Sequence, residues 1–236
     1  MLFEQVTRTG STNADLLVRA REGAPEGLWL RADTQDGGRG RMGRQWDSVS
    51  GNVYASTIVR LHPGNPDASS LAFVAGLAAY DAIRLVAPDI AIQLKWPNDV
   101  MTAGGAKICG ILLERSGDAV VAGFGINLCD HPKGLDRPVS DLRTLGYNPP
   151  PAQAVVEILA DCFTRLLLRW RTVELASILR AWDAVAHPHG KALSVRIPDG
   201  GLFEGLYAGL ADDGALRLRL ADGDIRAIHA ADIFLI

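Results

Sequence analysis

Between Gln35 and Trp46 the chain concentrates four glycines and three arginines, in the order Gln35-Asp36-Gly37-Gly38-Arg39-Gly40-Arg41-Met42-Gly43-Arg44-Gln45-Trp46. Glycine lets the backbone approach a ligand closely and adopt positive φ. Arginine offers a planar, permanently charged fork of donors suited to phosphate and carboxylate. Together they predict a mobile loop that closes over an anion and then orders. A solvated, arginine-bearing hairpin is the alternative that composition leaves open. The run lacks the Lys-Ser/Thr ending of a P-loop and does not open a helix as a dinucleotide fingerprint does.

Two further segments carry candidate chemistry. In Leu94-Lys95-Trp96-Pro97-Asn98-Asp99-Val100 the proline stops a strand and projects an amide and a carboxylate from the end of a sheet. A plain Pro-Asn-Asp turn explains the same pattern. Lys107 lies in the apolar strand-like run 105–114, where alternation predicts Lys107 and Cys109 on one face and Ala106 and Ile108 on the other. A charge beside such a strand needs a partner, either a structural carboxylate or a substrate's phosphate. Gly123-Phe124-Gly125-Ile126-Asn127 repeats glycine at alternate positions, which predicts a smooth slot on one sheet face for a flat or short aliphatic ligand. Close helix packing is the alternative.

These groups need elements to hold them. Ser11 or Thr12 reads as the N-cap of a helix over 14–20. Strands are predicted over 28–32 and 52–60, flanking the glycine-arginine loop. An Ala- and Leu-rich helix follows over 67–86, then strands over 91–96, 106–114 and 119–128, with a hairpin turn at Gly117-Asp118. Helices are predicted over 152–170 and 173–185. Beyond His187-Pro188-His189-Gly190 the texture becomes five short strands separated by Asp-Gly and Gly-Gly turns, over 193–197, 202–210, 215–220, 225–229 and 233–236. That pattern predicts a small SH3-like β-barrel. A boundary near Gly190 divides the chain into 1–189 and 190–236.

The bulk numbers narrow the classes. At 236 residues and 48% hydrophobic, the chain can bury a sizeable core. A formal net charge of -3 argues against a general nucleic-acid binder. Its three cysteines, with no close spacing, fit reduced thiols better than a disulfide or zinc framework. No signal peptide opens the chain, and the apolar stretches are interrupted before the length of a membrane span. A cytoplasmic protein is the expectation.

Taken in order, Ser11-Thr12-Asn13, the loop 35–46, Lys95 to Asp99, Lys107-x-x-Gly110-Ile111-Leu112-x-Glu114 and Gly123-x-Gly125-Ile126-Asn127 resemble the biotin protein ligase family. The resemblance implies an α+β fold, a mixed β-sheet with helices packed against it, followed by the small C-terminal domain. It implies that Ser11, Thr12, Asn13 and Gln35 contact the biotin head group. Gly38, Arg39, Gly40 and Arg41 would form the biotin-and-phosphate loop, and Gly110, Gly123 and Gly125 the backbone lining of the biotin slot. Arg39, Arg41, Arg44, Trp46, Asn98, Lys107 and Asn127 would serve ATP or the adenylate, with Trp46 near the adenine.

The activity so implied is formation of biotinyl-5′-AMP from biotin and ATP, then transfer of biotin to a lysine of a biotin carboxyl-carrier domain, such as that of acetyl-CoA carboxylase. Lys107, Arg41 and Asp99 are the catalytic candidates. Mg²⁺ would assist without a fixed side-chain site, Asp99 being a candidate contact. A lipoate ligase and a non-catalytic biotin-binding regulator are the rival readings. Only ten residues precede Ser11. The resemblance is therefore to the short form without a DNA-binding domain, and no operator binding or membrane partner is expected. A monomer and a homodimer both remain compatible.

Overall fold

The computed structural model describes all of residues 1–236 except Val173, Asp199 and Ile236, with Leu235 described through its backbone only. Seven strands form the main sheet in the order β1 (Leu2–Thr9), β2 (Leu28–Gln35), β3 (Val53–Arg60), β7 (Ala119–Ile126), β6 (Lys107–Ser116), β5 (Asp99–Thr102), β4 (Ile92–Lys95). β1 and β2 run parallel and the other neighbours antiparallel, so the sheet is mixed as expected. Alternation sorts the side chains of its central strands. Val53, Ala55 and Val59 of β3 and Val120, Ala122, Phe124 and Ile126 of β7 join the large core, under α2 (Leu71–Val86), α3 (Ala152–Thr172) and α4 (Leu175–Asp183). Trp29 stacks on Phe124 at 5.8 Å and meets the edge of Phe163 at 5.9 Å, which locks sheet to helix. The opposite face carries Ile58, Ala119 and Val121 beneath α1 (Thr12–Arg21).

The small domain is a five-stranded antiparallel sheet in the order β11 (Ile225–Ile228), β10 (Leu216–Arg219), β9 (Leu202–Leu210), β8 (Ala192–Arg196), β12 (Asp232–Leu235). It is the expected SH3-like unit. It is not packed as a separate body: Leu193, Val195, Tyr207, Leu216 and Ile228 belong to the same core cluster as the helices. Trp96 Nε1 donates to Gly214 O at 3.1 Å across the junction.

Several sequence expectations need correction. β1 was not anticipated, because its polar, largely exposed residues at a sheet edge lack clear alternation. β5 was read as part of a turn, yet Asp99 pairs with Lys95 and opens a strand. β2 continues to Gln35 because β1 offers it partners through Thr9. The last helix begins at Leu175; the predicted start at Val173, like the predicted strand end at Ile236, lies outside the described residues. Finally, Ala68–Val86 is by length and composition apolar enough to cross a membrane, contrary to expectation. In this fold it is the central core helix, with ten of its residues, Leu71 to Ile83, buried against the sheet and α3.

Candidate functional site

α1 covers only part of its sheet face. Past its N-terminus the floor of the sheet is Ser56, Gly123, Gly125 and Gly110, and a cavity of about 680 Å³ opens there. Ser11 caps α1, its Oγ accepting from Ala14 N at 3.4 Å, so this serine has a structural duty as well as a place on the cavity wall. Ser11, Thr12 and Asn13 are all buried. Gln35, at the end of β2, accepts from Thr12 N at 2.9 Å and from Thr12 Oγ1 at 3.1 Å. Asn13 is held by Ser56 Oγ, which donates to its Oδ1 at 2.6 Å, and by Glu114, which accepts from its Nδ2 at 2.8 Å.

The glycines are required by what lies above them. A Cβ on Gly123 would stand 2.1 Å from Asn13 Oδ1; on Gly125 or Gly110 it would stand 2.5–2.6 Å from the Trp46 ring. The alternate glycines do line the cavity, with the side chains of Asn13 and Trp46 packed directly over them. The Trp46 indole lies over Gly110 and Gly125, and its buried Nε1 has no hydrogen-bond partner among the described residues. Trp46, expected beside the adenine, thus sits between the slot and a small adjoining cleft that it shares with Asn127, Arg137 and Val139. Asn127 lines that cleft rather than the main cavity, and its Nδ2 donates to Ser140 O at 3.0 Å.

The predicted faces of the Lys107 strand are wrong, and a bulge is the reason. Between Val100 and Met101 the register with β6 shifts, pairing Val100 with Cys109 but Met101 with Lys107. The extra residue breaks alternation. Cys109 turns into the helix-side core with Ile108, where burial raises its thiol pKa far above the usual range. Lys107 instead shares a side with Gly110, whose added Cβ would meet its Nζ at 2.9 Å. Lys107 Nζ lies 2.5 Å from Asp99 Oδ1, an ion pair approached off the hydrogen-bond direction, and 5.2 Å from the Trp46 ring centroid. Of the two partners left open by sequence, the fold supplies the carboxylate, Asp99.

The glycine-arginine loop is a compact hairpin. Trp46 N donates to Gly38 O at 2.9 Å and Gly40 N to Arg44 O at 2.7 Å, with Met42 and Gly43 at positive φ in the tip. Gly38 does not line the cavity; a Cβ there would strike Trp46 O at 2.6 Å, so its duty is to close the hairpin. Arg39, Gly40, Arg41 and Arg44 do line it. Arg41 Nη1 donates to Asn98 Oδ1 at 3.2 Å, and Asn98 Nδ2 in turn donates to Ile111 O at 2.8 Å. Burial lowers the Arg41 pKa, against the opposing pull of Asp232 and Asp99. Arg44 forms an ion pair with Asp232 of the small domain. The loop is thus tied to both parts of the chain. Ser56 and His187 also line this cavity and were not anticipated, since each sits in an ordinary strand or turn without a local pattern to mark it. Lys95 and Glu114 lay within the quoted motifs but were given no role of their own; Lys95 lines the cavity and Glu114 holds Asn13.

The cavity thus combines a glycine floor, a buried lysine and three arginines of one hairpin. Residues 6–128 match the model of the biotin/lipoate A/B protein ligase family, and residues 190–236 match that of the biotin protein ligase C terminal domain. The chain belongs to this family. It is 38% identical to the biotin–[acetyl-CoA-carboxylase] ligase of Paracoccus denitrificans, over 97% of this chain and 98% of that one. With the enzyme of the same name from Mycobacterium tuberculosis the identity is 34%, over 98% and 88%. In fold it is similar to the biotin protein ligase of Aquifex aeolicus in complex with biotin and ATP, with a TM-score of 0.87 at 24% identity over 100% and 98% of the two chains.

Proposed function

We propose that the chain is an ATP-dependent biotin–protein ligase, which forms biotinyl-5′-AMP and transfers biotin to a lysine of a biotin carboxyl-carrier domain. One observation carries the reading: a glycine-floored slot opens directly onto Lys107, with Arg41 close by in the same cavity. Biotin's carboxylate and the α-phosphate of ATP are both anions and repel until cations screen them. Lys107 is positioned to serve both, and Arg39 and Arg41 add fixed charge from the loop. Ser11, Thr12, Asn13 and Gln35 are taken as the head-group contacts, and Trp46 with Asn127 as the wall nearer the adenine.

The ion pair with Asp99 has a consequence for the order of events. When two anions enter, Lys107 turns toward them and Asp99 becomes an unshared carboxylate beside the phosphates. Asp99 would offer Mg²⁺ a carboxylate beside the phosphates, which fits an ion held mainly by phosphate oxygens; Mg²⁺ would add Lewis-acid screening of the phosphates. In the second step the acceptor lysine must be neutral, against a free pKa of ~10.4, and Asp99 is the nearest candidate to take its proton. Closure of the hairpin keeps water from the adenylate. We take residues 1–189 as the catalytic unit and 190–236 as the support of its loop. The reaction belongs in the cytoplasm, where ATP and carrier domains meet.

Incubation with ATP, Mg²⁺, labelled biotin and a carrier domain should label one lysine of the carrier. Failure to label it, or faster exchange with lipoate than with biotin, would overturn the assignment.

A further inference from the structure

Toward the small domain the cavity continues past Asp99 to Lys95, His187 and Lys191. His187 is 4% exposed, and among the described residues neither its Nδ1 nor its Nε2 has a hydrogen-bond partner. A buried ring with two unmet nitrogens costs folding free energy, so a ligand or water group is needed to satisfy it. The ring is held where it is. Leu94 N donates to Val185 O at 2.8 Å, and Leu94 forms a parallel bridge with Ala186, so the segment entering His187 is sewn to the strand that carries Lys95. Burial, followed by the charges of Lys95 and Lys191, pushes the imidazole pKa down to about 4. The ring is therefore neutral near pH 7 and presents one N–H donor and one lone pair.

The neighbours decide the sign of the ligand. Lys95 is half-buried, and desolvation lowers its pKa. Among the described residues Asp99 pairs with Lys107 and Asp232 with Arg44, while Asp136 also lines the cavity. A cation such as the acceptor's ammonium would be repelled here, whereas a polyanion would lower the energy of the whole cluster. Adenylate formation supplies one. A carboxylate oxygen attacks the α-phosphorus, the Pα–O bond toward the β-phosphate breaks, and its electron pair leaves on pyrophosphate. Lys95 pairs with Asp99 across β4 and β5, so this part of the cavity adjoins the Lys107–Asp99 pair. Resting on the ligase reading, we infer that His187 and Lys95 dock the pyrophosphate end of the nucleotide, with His187 donating to a phosphate oxygen.

The test uses the full chain as wild type, His187→Ala and His187→Gln. Pyrophosphorolysis of biotinyl-5′-AMP is followed against inorganic pyrophosphate, beside biotin transfer from supplied biotinyl-5′-AMP, in which pyrophosphate takes no part. The half-saturating pyrophosphate concentration should rise about tenfold or more in His187→Ala. It should rise less in His187→Gln, which keeps a neutral donor, and the loss should be confined to the pyrophosphate step. An unchanged value, or equal losses in both half-reactions, would mean a water site or a packing role only and overturn the inference. Calorimetric titration with inorganic pyrophosphate needs no turnover and separates this from the ligase reading. Binding that weakens in His187→Ala supports the dock even in a chain that proved inactive with biotin, and binding equal in both rejects it.

Discussion

Lys107 lies in a nearly dry position, its amine beside the Asp99 carboxylate and facing the Trp46 ring. Removing the amine leaves nothing to bring the two reacting anions together. Lys107→Ala should lower biotin-dependent pyrophosphate exchange to near background, and exchange within tenfold of wild type would refute its role. Gly123 makes a sharper steric case. Asn13 is fixed by Ser56 and Glu114, so it cannot yield to a methyl group 2.1 Å away. Gly123→Ala should raise the KM for biotin at least about tenfold and cost about 1–3 kcal/mol of stability; biotin saturation curves and thermal unfolding check both. The chemistry-bearing residue types were legible at this scale, since glycine, arginine and lysine advertise themselves in an apolar run. Ser56 and His187 were not, because a lone serine in a strand acquires meaning only from what the fold sets beside it.

At the scale of elements, the hairpin 38–46 and the bulge in β6 do most to shape the site. The hairpin's own bonds are few, and its hold on the body runs through Arg41 to Asn98 and Arg44 to Asp232. Arg41→Gly removes one tie and one phosphate-directed charge. It should release biotinyl-5′-AMP into solution and label lysines of bystander proteins; labelling confined to the carrier domain would show that the loop is not the gate. Sequence located this loop and its anion chemistry and described it as a mobile loop that closes over an anion, without saying what it closes onto. Its closed form depends on Asn98 and Asp232, which are far away along the chain. The bulge shows the same limit: alternation assumes an unbroken ladder, and a one-residue shift reverses which side chains meet the site.

Over the whole molecule, one core joins the sheet, the helices and the small domain, so the site's far wall depends on how that domain docks. Gly214 lies at φ +86°, and a Cβ there would be 2.4 Å from the Phe73 ring. Gly214→Ala should destabilise the protein by about 1–3 kcal/mol and disturb the Trp96 bond to Gly214 O; denaturant unfolding followed by tryptophan fluorescence measures it. His187 makes stability depend on pH. Its pKa of about 4 in the fold lies below the ~6.5 of free imidazole, so the proton prefers the unfolded chain. Its contribution is complete above about pH 6.5 and is lost as pH falls toward 4. Unfolding free energy should decline across that window, and less steeply in His187→Gln. Equal slopes would contradict the assignment.

By itself the sequence determined which groups can do chemistry, the alternation that makes a glycine floor, the order of most elements and the change of texture near Gly190. Those properties are local: residue type, spacing and turn chemistry act over a few positions. Tertiary structure alone decided that Lys107 faces the slot, that Trp46 lies over it, that the arginine loop is strapped to the small domain, and that His187 is buried beside Lys95. Each of these is a pairing between segments distant in sequence, created when one continuous core forms and fixes their relative positions.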